Sequence, residues 1–216
     1  MRKKILFLAG MMACCTWAGA QEISKTWVAD KGDGTYQNPV LHADYSDPDV
    51  CAAGDDFYMT ASSFNCIPGI PILHSNDLVN WSLVNYALPI QEPEEFFDKA
   101  QHGKGVWASA IRFHNGEFYI YWGDPDYGIY MIKAKDPKGR WSKPVLVKAG
   151  KGMIDPTPLW DEDGTVYLVH AYAGSRSGVN SIVVICELNG EGTEVISDPV
   201  MVFDGNDGKN HTVEGP

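Results

Sequence analysis

Ile154-Asp155-Pro156-Thr157-Pro158-Leu159-Trp160-Asp161-Glu162-Asp163-Gly164-Thr165-Val166-Tyr167-Leu168-Val169 holds three signals in order: an Asp-Pro, an acidic Gly turn and an apolar strand around a tyrosine. The same order appears upstream. Ser46-Asp47-Pro48-Asp49-Val50 leads through a Gly/Asp turn to Phe57-Tyr58-Met59-Thr60, and Trp107-Ala108-Ser109-Ala110-Ile111 leads through His114-Asn115-Gly116 to Phe118-Tyr119-Ile120-Tyr121. Val213-Glu214-Gly215-Pro216 opens like a fourth copy. Tyr58, Tyr119 and Tyr167 stand 61 and 48 residues apart, near the period of a four-stranded propeller blade and too long for a repeated helix pair.

A second half-motif supports the repeat. Ile72-Leu73-His74-Ser75 is followed by Asp77 and Trp81, and Ile132-Lys133-Ala134 by Asp136 and Trp141. The third copy is worn to Ile182-Val183-Val184-Ile185-Cys186-Glu187 and Asp198-Pro199-Val200. Each propeller blade begins with its innermost strand at the central channel, so Asp47, Asp155 and Glu214 are expected to meet in a funnel. An isolated Asp-Pro is an ordinary turn starter. Recurrence at equivalent places is what marks these carboxylates, because an unpaired carboxylate near the axis is costly to bury.

The composition agrees with an all-β fold. In 216 residues, 22 glycines, 13 prolines and 12% aromatics favour many short strands separated by turns. The best helical candidate is Glu92 to Lys99, two turns long, with Pro93 placed for a first turn.

The N-terminus reads as an export signal over residues 1–20. Arg2-Lys3-Lys4 forms the basic region, Ile5 to Trp17 the apolar region, and Ala18-Gly19-Ala20 the small-residue cleavage site. The apolar run is too short to span a bilayer, so no transmembrane segment is expected in the mature chain. Export to the periplasm or the exterior follows, and Met11-Met12-Ala13-Cys14 leaves a lipoprotein anchor as the alternative, although the usual leucine is absent. Residues 21–35 form a lead segment.

The formal charge is −11, from 17 basic and 28 acidic residues. Removal of the leader leaves 14 against 28, or −14. With no basic stripe, nucleic acid is excluded as an expected partner, and anionic lipid would be repelled. Neutral substrates suit such a surface. Cys51, Cys66 and Cys186 remain after cleavage, without zinc spacing. Cys51 and Cys66 are candidates for one disulfide or for two buried thiols.

The motifs Asn38-Pro39-Val40-Leu41-His42-Ala43-Asp44-Tyr45-Ser46-Asp47-Pro48-Asp49-Val50, Gly69 to Trp81, Val106-Trp107-Ala108, Ile154 to Val169 and Glu214-Gly215-Pro216 occur in one order. Together they resemble the catalytic domain of family 43 glycoside hydrolases, in its xylosidase/arabinofuranosidase branch. The resemblance covers Tyr36 to Pro216. It implies a five-bladed β-propeller and hydrolysis with inversion, acting on terminal xylose or arabinofuranose of plant polysaccharide or oligosaccharide. It implies Asp47 as general base, Glu214 as general acid and Asp155 as the carboxylate that tunes the acid. Phe64 and Trp107 are implied as flat apolar surfaces against the terminal sugar. No metal and no cofactor are called for.

The chemistry suits three carboxylates. An inverting hydrolase activates water with one and protonates the leaving oxygen with another, about 6.5–9.5 Å away. A third negative group keeps the donor protonated. Two departures stand out. Ser109 replaces the family's usual proline, which touches backbone rigidity more than chemistry. Pro216 follows the acid at once, so the reading expects a propeller truncated at the start of blade four, unclosed and inactive as it stands.

Two other readings compete. A carbohydrate-binding propeller without catalysis should have lost an acid, yet all three are present. A retaining invertase or fructan-type propeller enzyme carries Arg-Asp-Pro and Glu-Cys, whereas here Ile154 precedes Asp155 and Gly215 follows Glu214.

Overall fold

A computed structural model describes residues 26–65, 67–206, 208 and 212–216. The expected leader and Cys66 therefore lie outside the described residues. Twelve strands form three antiparallel sheets of four, each in chain order. The first holds β1 (Asp49–Ala53), β2 (Asp56–Thr60), β3 (Gly69–Ser75) and β4 (Ser82–Leu88). The second holds β5 (Trp107–His114), β6 (Glu117–Asp124), β7 (Gly128–Ala134) and β8 (Val145–Ala149). The third holds β9 (Met153–Trp160), β10 (Val166–Tyr172), β11 (Ile182–Leu188) and β12 (Val200–Asp204). The opening strands β1, β5 and β9 are neighbours. This is the arrangement of successive propeller blades.

The turns obey their residues. His114 pairs with Glu117, leaving Asn115 and Gly116 as a two-residue loop with φ of 49° and 78°. Two left-handed residues make the type I′ turn that matches strand twist, and Asn-Gly is its favoured pair. The predicted helix is shorter than expected. It spans α1 (Glu94–Phe97), with Pro93 at its N-cap, and a second short helix, α2 (Gly174–Ser177), lies in the β10–β11 connection.

The second half-motif proves to be a turn device. Asp77 Oδ1 accepts from the Val79 and Asn80 amides, and Asp136 Oδ1 accepts from the Lys138 amide. The indoles of Trp81 and Trp141 then donate to the Leu78 and Pro137 carbonyls. Trp141 is buried in the core, and Trp81 is half-buried. Both stand just before the outer strand of their sheet.

Two cores separate the sheets. Phe118, Ile120 and Trp122 of β6 face the first sheet, packing with Tyr58, Ile72 and Ile111. Tyr119 and Tyr121 face the third, packing with Met153, Val166 and Leu168. Period-two alternation buried on both sides explains why Phe118 to Trp122 is apolar throughout. The far face of the third sheet, with Leu159, Val200 and Phe203, is exposed. Cys51 and Cys186 are buried free thiols, so Cys51 joins no disulfide. Burial pushes the Cys51 thiol up to about 12, which makes it a packing group. Among the described residues no helix is long and apolar enough to cross a membrane.

Asp124, the last residue of β6, is 2% exposed. Its Oδ1 accepts from the Asp126 and Tyr127 amides, and its Oδ2 accepts from Gln91 Nε2 at 3.3 Å. Burial nevertheless drives the carboxyl up to about 6. Gln91 Oε1 is buried and has no partner among the described residues. A carboxyl raised in the folded state stabilises fully below its unfolded pKa near 4 and loses that contribution as pH climbs through about 6. In Asp124→Asn the new amide can donate to Gln91 Oε1 once the glutamine turns over. The variant should therefore melt above the parent at pH 7.5, by an amount on the order of 2–3 kcal/mol, and lose that advantage by pH 4. Melting curves that keep a constant offset across this range would contradict the assignment.

Candidate active site

The three ladders define equivalent positions. Asp49 pairs with Thr60, Ala110 with Tyr121 and Thr157 with Val169, and each partner lies two residues after the marker tyrosine. Two residues before each stand Asp47, Ala108 and Asp155. All three have left-handed backbone, with φ of 50°, 30° and 53°. Aspartate tolerates this region better than most residues, and alanine does not. The ladder register also shifts after Trp107 in β5 and at the start of β9. Each inner strand thus enters its sheet through a kink, and the first and third kinks carry a carboxylate.

Asp47, Asp155 and Glu214 line one cavity of about 410 Å³, with Asp49, Ala108, Arg112 and Thr157 also on its wall. The expected convergence of the acids therefore holds. Asp155 is half-buried, whereas Asp47 and Glu214 are exposed. Asp155 Oδ2 accepts from the Gly215 amide at 2.9 Å, and Thr157 Oγ1 donates to the Pro216 carbonyl at 2.9 Å. Two bonds thus tie Gly215 and Pro216, next to Glu214, to β9. Burial raises the Asp155 carboxyl above the usual range; the Gly215 amide opposes this, and the charges of Glu214 and Asp47 add to it. Asp155 therefore feels the charge of both other acids.

Several polar groups of this site escaped the sequence reading. Asp47 Oδ2 accepts from Ser46 Oγ at 2.8 Å and Ser62 Oγ at 2.6 Å. Asp49 Oδ2 accepts from the Ile111 amide and from Arg112 Nη1, so the fourth acid of the wall is neutralised. Ser109 is buried, its Oγ 3.0 Å from Thr60 Oγ1. In place of a stiff ring it supplies a polar tie between the first two sheets. Apart from Ser46, which bonds its own neighbour, these residues are singled out by contacts between distant segments, which a linear pattern does not contain.

Phe64 and Trp107 are brought to each other, with ring centroids 6.4 Å apart and planes at 68°. They are not on the wall of the acid cavity, although Trp107 adjoins Ala108, which is. The connection that seats them is a short inter-sheet ladder. Ser63 and Val106 exchange both backbone hydrogen bonds, and the Gly105 amide donates to the Phe64 carbonyl at 2.9 Å. A β-carbon at Gly105 would stand 2.2 Å from the Ser63 carbonyl, so only glycine lets the strands approach this closely.

The model of the Glycosyl hydrolases family 43 matches residues 36–216. The chain belongs to this family. A beta-xylosidase of Formosa agariphila is 34% identical over 200 residues, which cover 86% of this chain and 34% of that protein. A non-reducing end alpha-L-arabinofuranosidase of Bacteroides ovatus is 37% identical over 139 residues, covering 62% of this chain and 26% of that protein. Among solved structures, the xylan beta-1,4-xylosidase of Bacillus halodurans C-125 superposes with a TM-score of 0.67 at 26% identity, over 83% of this chain and 35% of its own. The family 43 chain thus spans about a third of the length of the curated relatives it matches.

Ala108 gives the site a test of its own. Relief of its left-handed strain should make Ala108→Gly at least as stable as the parent, by up to about 1 kcal/mol, whereas branched Ala108→Val should lose more than that. Urea midpoints measure both. A glycine variant clearly weaker than the parent would show that the kink is unstrained.

Proposed function

We propose that this family 43 chain supplies the three catalytic carboxylates of an inverting exo-glycosidase that removes terminal xylose or arabinofuranose from hemicellulose-derived saccharides. The observation that carries the reading is the convergence of Asp47, Asp155 and Glu214 on one cavity. Relatives named beta-xylosidase and alpha-L-arabinofuranosidase support the substrate class. In this reading Asp47 deprotonates the attacking water and Glu214 protonates the departing oxygen. Asp155, coupled to Glu214 by charge and tied to the adjacent Gly215 amide, keeps that proton in place and orients the acid. Trp107, which adjoins Ala108 on the cavity wall, and Phe64 packed against it would extend the site with apolar surface for the terminal sugar. The alternative of binding without turnover has no observation in its favour, since no acid of the three is lost.

The architecture proposed is a five-bladed propeller in which the three four-stranded sheets are the first blades and Val213 opens the fourth. The open apolar face of the third sheet, with Leu159, Val200 and Phe203, supports a further blade packed there. The reading of residues 1–20 as an export leader places the enzyme in the periplasm or outside the cell, where such saccharides are met.

Nitrophenyl β-xyloside and α-arabinofuranoside, tested side by side with the full-length enzyme, should show which pentose is released. The first sugar product, followed by its anomeric proton in NMR, should have inverted configuration; retention would sink the assignment of Asp47 and Glu214.

Variants separate the roles. Asp47→Ala should abolish hydrolysis of every glycoside, whereas Glu214→Ala should spare those with very good leaving groups, which need little protonation. Asp155→Asn should move the basic limb of the pH–rate profile to lower pH, because the acid loses a negative neighbour. An unchanged limb would remove Asp155 from the tuning role.

A further inference from the structure

Ser62 occupies a junction that the three-carboxylate description leaves out. Its backbone amide donates to the Ser46 carbonyl at 2.9 Å. Its Oγ lies 2.6 Å from Asp47 Oδ2 and accepts from the Ala108 amide at 2.9 Å. One serine of the β2–β3 connection thus fastens both left-handed kinks, that of Asp47 in its own sheet and that of Ala108 in the next. The following residues, Ser63 and Phe64, continue the contact as the ladder to Gly105 and Val106.

Proton counting at this junction is decisive. A hydroxyl has one proton to give and two lone pairs to receive. The Ala108 amide uses a lone pair of Ser62, so the single proton is free for Asp47. Ser46 Oγ directs its proton to the same carboxylate oxygen. Oδ2 therefore receives two O–H donors, while no hydrogen bond from the described residues reaches Oδ1. A proton arriving at Oδ2 would have to displace a donor. One arriving at Oδ1 displaces no donor among the described residues.

The geometry points to Ser62 as the positioning residue of the reaction, holding Asp47 so that Oδ1 is the oxygen that takes the proton from water. The inference rests on the reading of Asp47 as general base. It goes beyond that reading in naming the oxygen and the residue that selects it. Ser62 itself touches neither water nor sugar in this scheme, and its effect on the reaction passes through Asp47.

Kinetics and unfolding test it in the full-length enzyme. Ser62→Ala should lower kcat on a nitrophenyl pentoside about 10- to 100-fold, the worth of a hydrogen bond to a charged group, with KM little changed. Ser62→Thr, which keeps the hydroxyl, should restore most of it. In Asp47→Ala supplied with azide, a nucleophile that needs no base, further loss of Ser62 should cost nothing. An equal loss there would mean that Ser62 only holds the scaffold, and would overturn the proposal. The bond is also read without turnover. A double-mutant cycle of Asp47→Ala and Ser62→Ala on urea unfolding should show coupling, and its absence would reject the contact even in an inactive protein. Failure of the parent to cleave either pentoside, with coupling intact, would instead count against the glycosidase reading.

Discussion

Because Phe118, Ile120 and Trp122 leave β6 on one side and Tyr119 and Tyr121 on the other, the middle sheet must have a partner sheet on each face. That requirement governs the rest of the molecule. Three sheets stacked face to face, each entered by its inner strand, bring β1, β5 and β9 side by side, and residues at the entrances of those strands become neighbours although 61 or 47 positions apart in the chain. The acid cluster is thus assembled by hydrophobic packing some distance away. Polar contacts at the entrances adjust what packing has already brought close.

The electrostatics of the cavity show a division of labour. Asp49 accepts from Arg112 and an amide, which fixes it as a neutralised structural group. Asp155 is the most enclosed of the three unpaired acids, and its enclosure is offset only by the Gly215 amide. Neighbouring negative charge would be wasteful in a purely structural site, because it resists burial. In a site that must hold one proton and accept another, the same repulsion keeps the protons in separate places.

Much of this was legible in the chain. The tyrosines at 58, 119 and 167 lie at matching ladder positions, because a repeated strand of period two must put the same residue on the same face. The Asn115-Gly116 hairpin and the convergence of Asp47, Asp155 and Glu214 follow from local chemistry and the repeat together. Ser62, the Arg112–Asp49 pair and the Gln91–Asp124 contact were not legible. Each joins segments from different sheets or loops, and their residue types are unremarkable where they stand. Of the paired tryptophans only Trp141 is buried, while Trp81 is half-buried, its indole spent on closing a turn. The helix was legible in place but not in length, since only Glu94 to Phe97 lie between the proline cap and the loop that returns to β5.

The left-handed entrance shared by residues 47, 108 and 155 separates backbone from chemistry. The same pedestal is built three times, and in two of them an aspartate stands on it while the third bears a methyl group. Duplication of a blade therefore duplicates a mounting point before any function is attached to it. Acidic groups can then be gained, lost or moved between blades by a change of one side chain, with the strand, its kink and its neighbours unaltered. A repeat protein of this kind carries spare sockets, and Ala108 is an empty one facing the same cavity.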